Sequence, residues 1–324
     1  MRHHTLRTAV AAGVLLCVGA CGASTGPDAS GGEGEGSGGV IRIGETDGVP
    51  SAFLRFGVQQ GVFEEHGIEL RIDASAGGAA AIPALVGGNL DIAGSNVVSG
   101  LLAAERGLPL RMIAPGTFAT DDPTADFSAV LAAEGSGIEA ADDLAGASIA
   151  VNTLENIGDI TIEAALEERG VDTSGVEFVE LGFPDMLPAL ANGQIDAAWV
   201  IEPFLTMGVN DGLTPVLWPY VESMEGLQIG SYLTTQDFAE RDPEAVAAFQ
   251  AAIADTAELV TEDPDAFRQA LPEIEELEPA IADAMILPGF HSEVDVASLE
   301  FLADRMVRSG FVDDEIDLDA LLGR

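Results

Sequence analysis

Asp47 and Gly48, Ser95 and Asn96, Thr117, Asn152 and Thr153, and the run containing Trp199, Glu202, Pro203 and Phe204 bring together hydroxyl, amide, carboxylate and aromatic groups. Such groups suit hydrogen bonding and stacking around a small solute. Covalent chemistry finds little support in the same inventory. The cysteines are Cys17 and Cys21, the 13 basic residues are all Arg, and of the 4 histidines only His66 and His291 lie beyond the first residues. With no lysine there is no Schiff base, and the two histidines lack metal-ligand spacing. No cofactor or metal site is therefore expected, and no enzyme activity. Each candidate also has a plain structural role. Ser95, Asn96, Asn152 and Thr153 are good helix caps. Trp199 could be core, Glu202 could favour a helix N-terminus by about 0.3–1 kcal/mol, and Asp47 could form a turn. Arg55 and Arg111, the nearest basic groups, fall away from the predicted strand ends and suit the surface.

The joint placement of these residues depends on an internal repeat. Ile82 to Gly94 reads IPALVGGNLDIAG, and Leu187 to Trp199 reads LPALANGQIDAAW, 105 positions later and without a gap. Upstream, EEHGIE at Glu64 to Glu69 is echoed by EERGVD at Glu167 to Asp172, offset by 103. In each copy Pro is expected to enter a short apolar helix, Gly88 or Gly193 to stop it in the left-handed conformation, and Asp91 or Asp196 to turn the chain into a buried strand. Two similar α/β units imply a cleft between them.

In chain order, VIRIGE at Val40 to Glu45 alternates as a strand, and Ser51 is a plausible cap for a helix reaching about His66. Strands are expected at Ile68 to Asp73, Leu90 to Gly94 and Leu110 to Ala114, with a helix from Ser95 and Asn96 to Arg106. Phe127 to Ala133 marks the first crossing between units. The second unit places strands near Ser148 to Val151, Val176 to Glu180, Ile195 to Val200 and Leu213 to Leu217. Leu227 to Thr234 is the return crossing. Beyond it, Asp242 and Asp263 before Pro243 and Pro264 signal capped helices, expected to wrap back on the first unit. Alternating strands and helices predict mostly parallel, doubly wound sheets. Ligands of such sheets sit beyond the strands' carboxyl ends, where helix N-termini offer free N–H groups, and the residues named at the outset occupy those positions.

Residues 1–20 combine a basic start with an apolar run from Ala9 to Ala20, a signal-peptide pattern. The small residues before Cys21 resemble a bacterial lipobox, which implies lipidation at Cys21. Residues 21–39, rich in Gly and Ser with a few acids, read as a flexible tether, of about 20–25 Å typical span for a Gly-rich coil of this length. The formal charge is -42, and loss of Arg2 and Arg7 with the signal would take it to -44. Nucleic acid and anionic membrane surfaces are poor partners for so acidic a body.

GVFEEHGIEL, PALVGGNLDIAGSN, DDLAGASIAVNTLENIGD and FPDMLPALANGQIDAAWVIEPF together resemble the binding-protein family for nitrate, sulfonates and taurine, which also includes binders of thiamine pyrimidine precursors. The resemblance implies a type II periplasmic-binding-protein fold, with lobe 1 at 40–128 plus 229–324 and lobe 2 at 129–228. It implies a monomer that captures a small-molecule solute and delivers it to an ABC permease and its ATPase, held at the outer face of the cell membrane by the lipid anchor. The cleft it implies is lined by the loop from Asp47 to Pro50, by Ser95 and Asn96, by the segment from Asn152 to Asp159 with Asn156, and by Trp199, Glu202, Pro203 and Phe204. The visible side chains are neutral or acidic, which leans toward a neutral or cationic organic solute, although backbone N–H groups could still bind an anion. Two alternatives stay open. One is a solute-sensing surface lipoprotein; the other is an enzyme such as a pyrimidine synthase or desulfinase, whose Cys, Lys and His groups are missing.

Overall fold

The computed structural model describes residues 39–313 and 315–324. The signal segment 1–20, Cys21 and nearly all of the tether 21–39 lie outside the described residues. Strand β1 (Val40–Thr46) is the first element. Ile41, Ile43 and Glu45 share one buried parity along it, as the period of two requires.

Eleven further strands follow: β2 (Glu69–Ser75), β3 (Ile92–Asn96), β4 (Leu110–Pro115), β5 (Thr117–Phe118), β6 (Ser128–Ala132), β7 (Ser148–Val151), β8 (Glu177–Glu180), β9 (Ala197–Ile201), β10 (Thr214–Leu217), β11 (Gly230–Thr235) and β12 (Gly289–Phe290). They form two five-stranded sheets, ordered β2-β1-β3-β11-β4 and β8-β7-β9-β6-β10, and a small β12-β5 ribbon. In each large sheet four strands run one way. The strand that enters from the other half, β11 or β6, is inserted antiparallel. The architecture is mixed α/β, with mostly parallel sheets covered by helices.

The repeat is visible in three dimensions. Gly88 and Gly193 both have positive φ, 75° and 64°. Asp91 accepts hydrogen bonds from the backbone N and guanidinium of Arg42 on β1, and Asp196 accepts from the backbone N and hydroxyl of Ser148 on β7. Each aspartate thus clips its strand to the neighbouring strand's amino end. Three local expectations are corrected. Pro83 and Pro188 lie inside the helices Gly78–Val86 and Phe183–Ala191, which begin five residues earlier. The helix after β1 starts at Val49, and Ser51 donates to the Gly48 carbonyl from inside its first turn, so it is not the cap. That helix ends at Gln59, and Gly61, with positive φ, separates it from a second short helix, Val62–Glu65.

Two segments cross between the sheets and pair with each other. Gly116 N donates to Gly230 O at 2.9 Å, Ile229 N to Thr117 O at 2.8 Å, and Ala119 N to Leu227 O at 2.8 Å. The C-terminal helices divide their packing. Helix Pro243–Glu262, capped by Asp242, covers the first sheet's helix Val49–Gln59, and Phe53 stacks on Phe290 at 4.3 Å nearby. Helix Val296–Arg308 does not stay on the first half as expected. Arg305 pairs with Glu167 at 2.8 Å, and Ser309 donates to Glu163 at 2.8 Å, both on helix Ile157–Glu168 of the second half. An apolar stripe holding Leu299, Leu302 and Met306 explains this, since it packs into the core shared by the two halves.

Candidate functional site

The carboxyl ends of both sheets face a cavity of about 60 Å³ beside the paired crossings. At roughly 10–15 Å³ of such space per water, it has room for about four to six waters, or for a solute of similar size. Its walls differ in chemistry. The first half contributes Glu45 and Thr46 from β1, Ser95 and Asn96 from β3, Thr117, and Ser231 and Tyr232 from β11. The second half contributes Ile157, Phe183, Trp199, Ile201 and Tyr220, with Asn152 as its polar member, and Phe127 joins this wall from the residue just before β6.

The apolar wall is braced from behind. Trp199 Nε1 donates to Ser128 Oγ at 2.7 Å, so the indole has its polar atom satisfied and offers the cavity its ring. Phe183 and Tyr220 pack on that ring at 5.6 and 6.0 Å between centroids. Tyr220 is fully buried beside Ser128, and burial pushes its phenol well above the usual range.

Glu45 is the cavity's ionisable anchor. It is 5% exposed, its carboxylate accepts the Thr46 N–H at 2.7 Å, and the Tyr232 hydroxyl donates to it. Burial outweighs these bonds and pushes its carboxyl up to about 8. Gly94 on β3 makes the arrangement possible, because any side chain there would run into the Glu45 carboxylate. Among the described residues no Arg or His lines the cavity.

The residues singled out in the sequence separate into two groups. Ser95, Asn96, Thr117, Asn152 and Trp199 all line the cavity. Asn96 also caps helix Val97–Glu105, accepting the Ser99 N–H at 2.9 Å. The others stand apart. Asp47 is exposed on the turn after β1. Gly48, at φ 97°, packs against the Glu202–Pro203 backbone, where a Cβ would lie 2.8 Å from the Glu202 carbonyl oxygen; its role is close approach between the halves. Asn156 is buried, caps helix Ile157–Glu168 and exchanges hydrogen bonds with Ser99 at 3.0 and 3.3 Å across the cleft. Thr153 lines a separate depression, together with Ser99 and Arg106.

Glu202 is fully buried, and its carboxylate is occupied by Thr206 N at 3.0 Å, Thr206 Oγ1 at 2.8 Å and Ile286 N at 2.9 Å. It fixes the C-terminal segment to the second half and does not face the cavity. Burial raises its carboxyl above the usual range. Pro203 is buried beside it, and Phe204 stacks on Phe183 at 6.0 Å, behind the wall. Arg55 pairs with Glu275 at 3.6 Å, and neither it nor Arg111 reaches the cavity.

Sequence reading missed Glu45, Tyr232, Phe127 and Tyr220. Glu45 had a signal: it continues the buried parity of Ile41 and Ile43 at the carboxyl end of an apolar strand, where a carboxylate is out of place.

A family model described as NMT1/THI5 like matches residues 51–267. The chain belongs to the NMT1/THI5-like family. The taurine-binding periplasmic protein of Escherichia coli is 30% identical to this NMT1/THI5-like chain over 124 residues, a stretch that spans 38% of each. Among solved structures, the alkanesulfonate-binding protein SsuA of Xanthomonas axonopodis pv. citri, bound to MOPS, superposes with a TM-score of 0.72 at 17% identity, covering 88% of this chain and 96% of that one. The periplasmic aliphatic sulphonate binding protein SsuA of Escherichia coli gives 0.68 at 17% identity, covering 89% and 100%. The fold is that of periplasmic binding proteins.

Proposed function

We propose that this chain is the extracytoplasmic solute receptor of an ABC importer, capturing a small organic nitrogen- or sulfur-containing solute of the sulfonate, taurine or pyrimidine-precursor kind by closure of two lobes. The observation that carries the reading is the cavity at the facing sheet ends, closed by hydrogen bonds between halves. Asn152 Nδ2 donates to Ala76 O at 3.3 Å, and Asn156 meets Ser99. In this reading residues 40–128 with 229–324 form one lobe and 129–228 the other, and the paired crossings at Gly116–Ala119 and Leu227–Gly230 act as the hinge. Cys21 carries a lipid that holds the receptor at the membrane, the permease and its ATPase receive the solute, and the protein works as a monomer without cofactor or catalysis.

The lining fits such a role. Ser95, Asn96, Thr117 and Asn152 offer hydrogen bonds, and Trp199 forms the apolar wall. Closure is favoured only as far as the solute binds the closed arrangement better. A thermal-shift screen of the full chain against sulfonates, taurine, nitrate, aminopyrimidines and amino acids tests the proposal, because a ligand bound only by the folded state raises Tm. At least one solute should raise it in a concentration-dependent way. A flat response across the panel would remove the receptor reading for these solutes.

A further inference from the structure

We propose that the solute carries a protonated amine, and that Glu45 is the group receiving it. The inference rests on the receptor reading above and narrows it to a class of ligand. It starts from an imbalance of donors and acceptors. Glu45 is 95% buried at the cavity and meets no cation among the described residues. Asn152, which also lines the cavity, has its Nδ2 engaged by Ala76, while its Oδ1 is buried without a partner. A ligand that fills this space must bring hydrogen-bond donors to the acceptors, and a carboxylate out of water is satisfied best by a charged one, which an ammonium supplies.

The surroundings agree with that assignment. Gly94 leaves the volume that the Glu45 carboxylate occupies, so the chain keeps space for an acid beside the cavity. Tyr232 holds the carboxylate with its hydroxyl. The facing wall of Trp199, Phe127 and Tyr220 suits the carbon skeleton, and aromatic faces also attract a cation. Burial keeps Glu45 protonated up to about 8 when nothing pairs with it, and a bound ammonium would reverse that by favouring the charged form. A simple oxyanion gains at most the one O–H that the protonated carboxyl can donate, and would be repelled once it ionised.

The ammonium can belong to a plain alkylamine or to the amine end of an aminosulfonate. Calorimetric titration of the full chain with taurine, propylamine, ethanesulfonate and N-acetyltaurine separates them. Taurine should bind at least tenfold tighter than ethanesulfonate and N-acetyltaurine, which lack the ammonium, and Glu45→Gln should remove that advantage. Propylamine binding alongside taurine identifies the ammonium as sufficient; taurine binding alone shows that the sulfonate is read as well, and both outcomes support the amine subsite. Ethanesulfonate matching taurine on the unsubstituted chain would overturn the inference and leave the receptor standing, and this comparison needs no variant. Unchanged taurine affinity in a folded Glu45→Gln protein would overturn it too. Silence from all four probes on a chain with a cooperative melt would reject the receptor reading for solutes of this size together with the inference.

Discussion

The two halves of the molecule share a scaffold and differ at the positions where they face each other. In the first sheet Gly44 pairs with Ala93, and in the second Ala150 pairs with Ala198. One residue further on, the first half has Glu45 and Gly94 and the second has Val151 and Trp199. Both halves keep the aspartate clip, the positive-φ glycine and the inserted antiparallel strand. At the equivalent pair, one half opens space for a buried carboxylate and the other fills that space with an indole. A duplicated unit has thereby produced a polar wall and an apolar wall. The lesson is that the scaffold residues define the cleft, and that exchange of a small and a large residue at its rim defines what the cleft can hold.

Removing the larger of the two contrasted side chains should have the largest effect. Trp199 is 2% exposed and wedged between Phe183 and Tyr220, with Ser128 accepting its N–H. Trp199→Ala should destabilise the chain by about 3–5 kcal/mol, the range for large aromatics emptied from a core, read as a lowered urea midpoint at unchanged slope. A loss below about 1 kcal/mol would mean that the wall collapses around the gap and that the contrast between halves is one of shape alone.

Glu45 gives the next effect, and its sign is opposite to that of an ordinary ion-paired acid. Its folded value, about 8, lies above the usual 4.5, so between those values the native chain holds a proton that the unfolded chain has released. Stability is then greatest below the unfolded value and falls as pH rises toward the folded one, by about 1.4 kcal/mol per pH unit for one such group. Asp126 and Asp159, each pushed up to about 7 by burial, add slopes of the same sign. Glu45→Gln should remove one proton's share of the slope between pH 5 and 7 in the unliganded protein, measured by denaturation at several pH values. Val151, its counterpart, adds no titrating group at the equivalent position. An identical slope in the variant would place the Glu45 carboxyl in contact with water.

Much of the scaffold was legible in the sequence because the features that form it are local. Gly88, Gly193, Asp91 and Asp196 act within a few residues or on the adjacent strand, and the repeat made them visible twice. Asp242 and Asp263 announced their helices in the same way. The polar half of the site was partly legible, since Ser95, Asn96 and Asn152 follow strand ends that alternation reveals. What failed was nonlocal. Tyr232 reaches Glu45 from a strand that enters only after the chain has returned from the second half, and no periodicity connects the two. Glu202 looked like a ligand group because it follows Trp199, but the turn after β9 directs its carboxylate to Thr206 and to Ile286, a partner far along the chain. Prolines 83 and 188 misled for another reason: a Pro tolerated within a helix was taken for the residue that starts one.

The smallest predicted effect isolates contacts made between the halves from those made within them. On the first half the Ser99 hydroxyl exchanges hydrogen bonds with Asn156, while its backbone N–H donates to the cap residue Asn96. Ser99→Ala keeps the Asn96 cap and deletes the hydroxyl through which both side-chain bonds cross the cleft. A hydrogen bond of this kind contributes about 0.5–1.5 kcal/mol, and in the proposed closure it exists only when the lobes are together. The variant should therefore unfold within about 1.5 kcal/mol of the parent, while solute affinity falls by up to about tenfold because the competent arrangement is less populated. The loss should appear as faster release, since the bond forms after encounter. Unchanged affinity and release would mean that the halves stay together without this bond, leaving the paired crossings at Gly116 and Gly230 to hold the cleft in one arrangement.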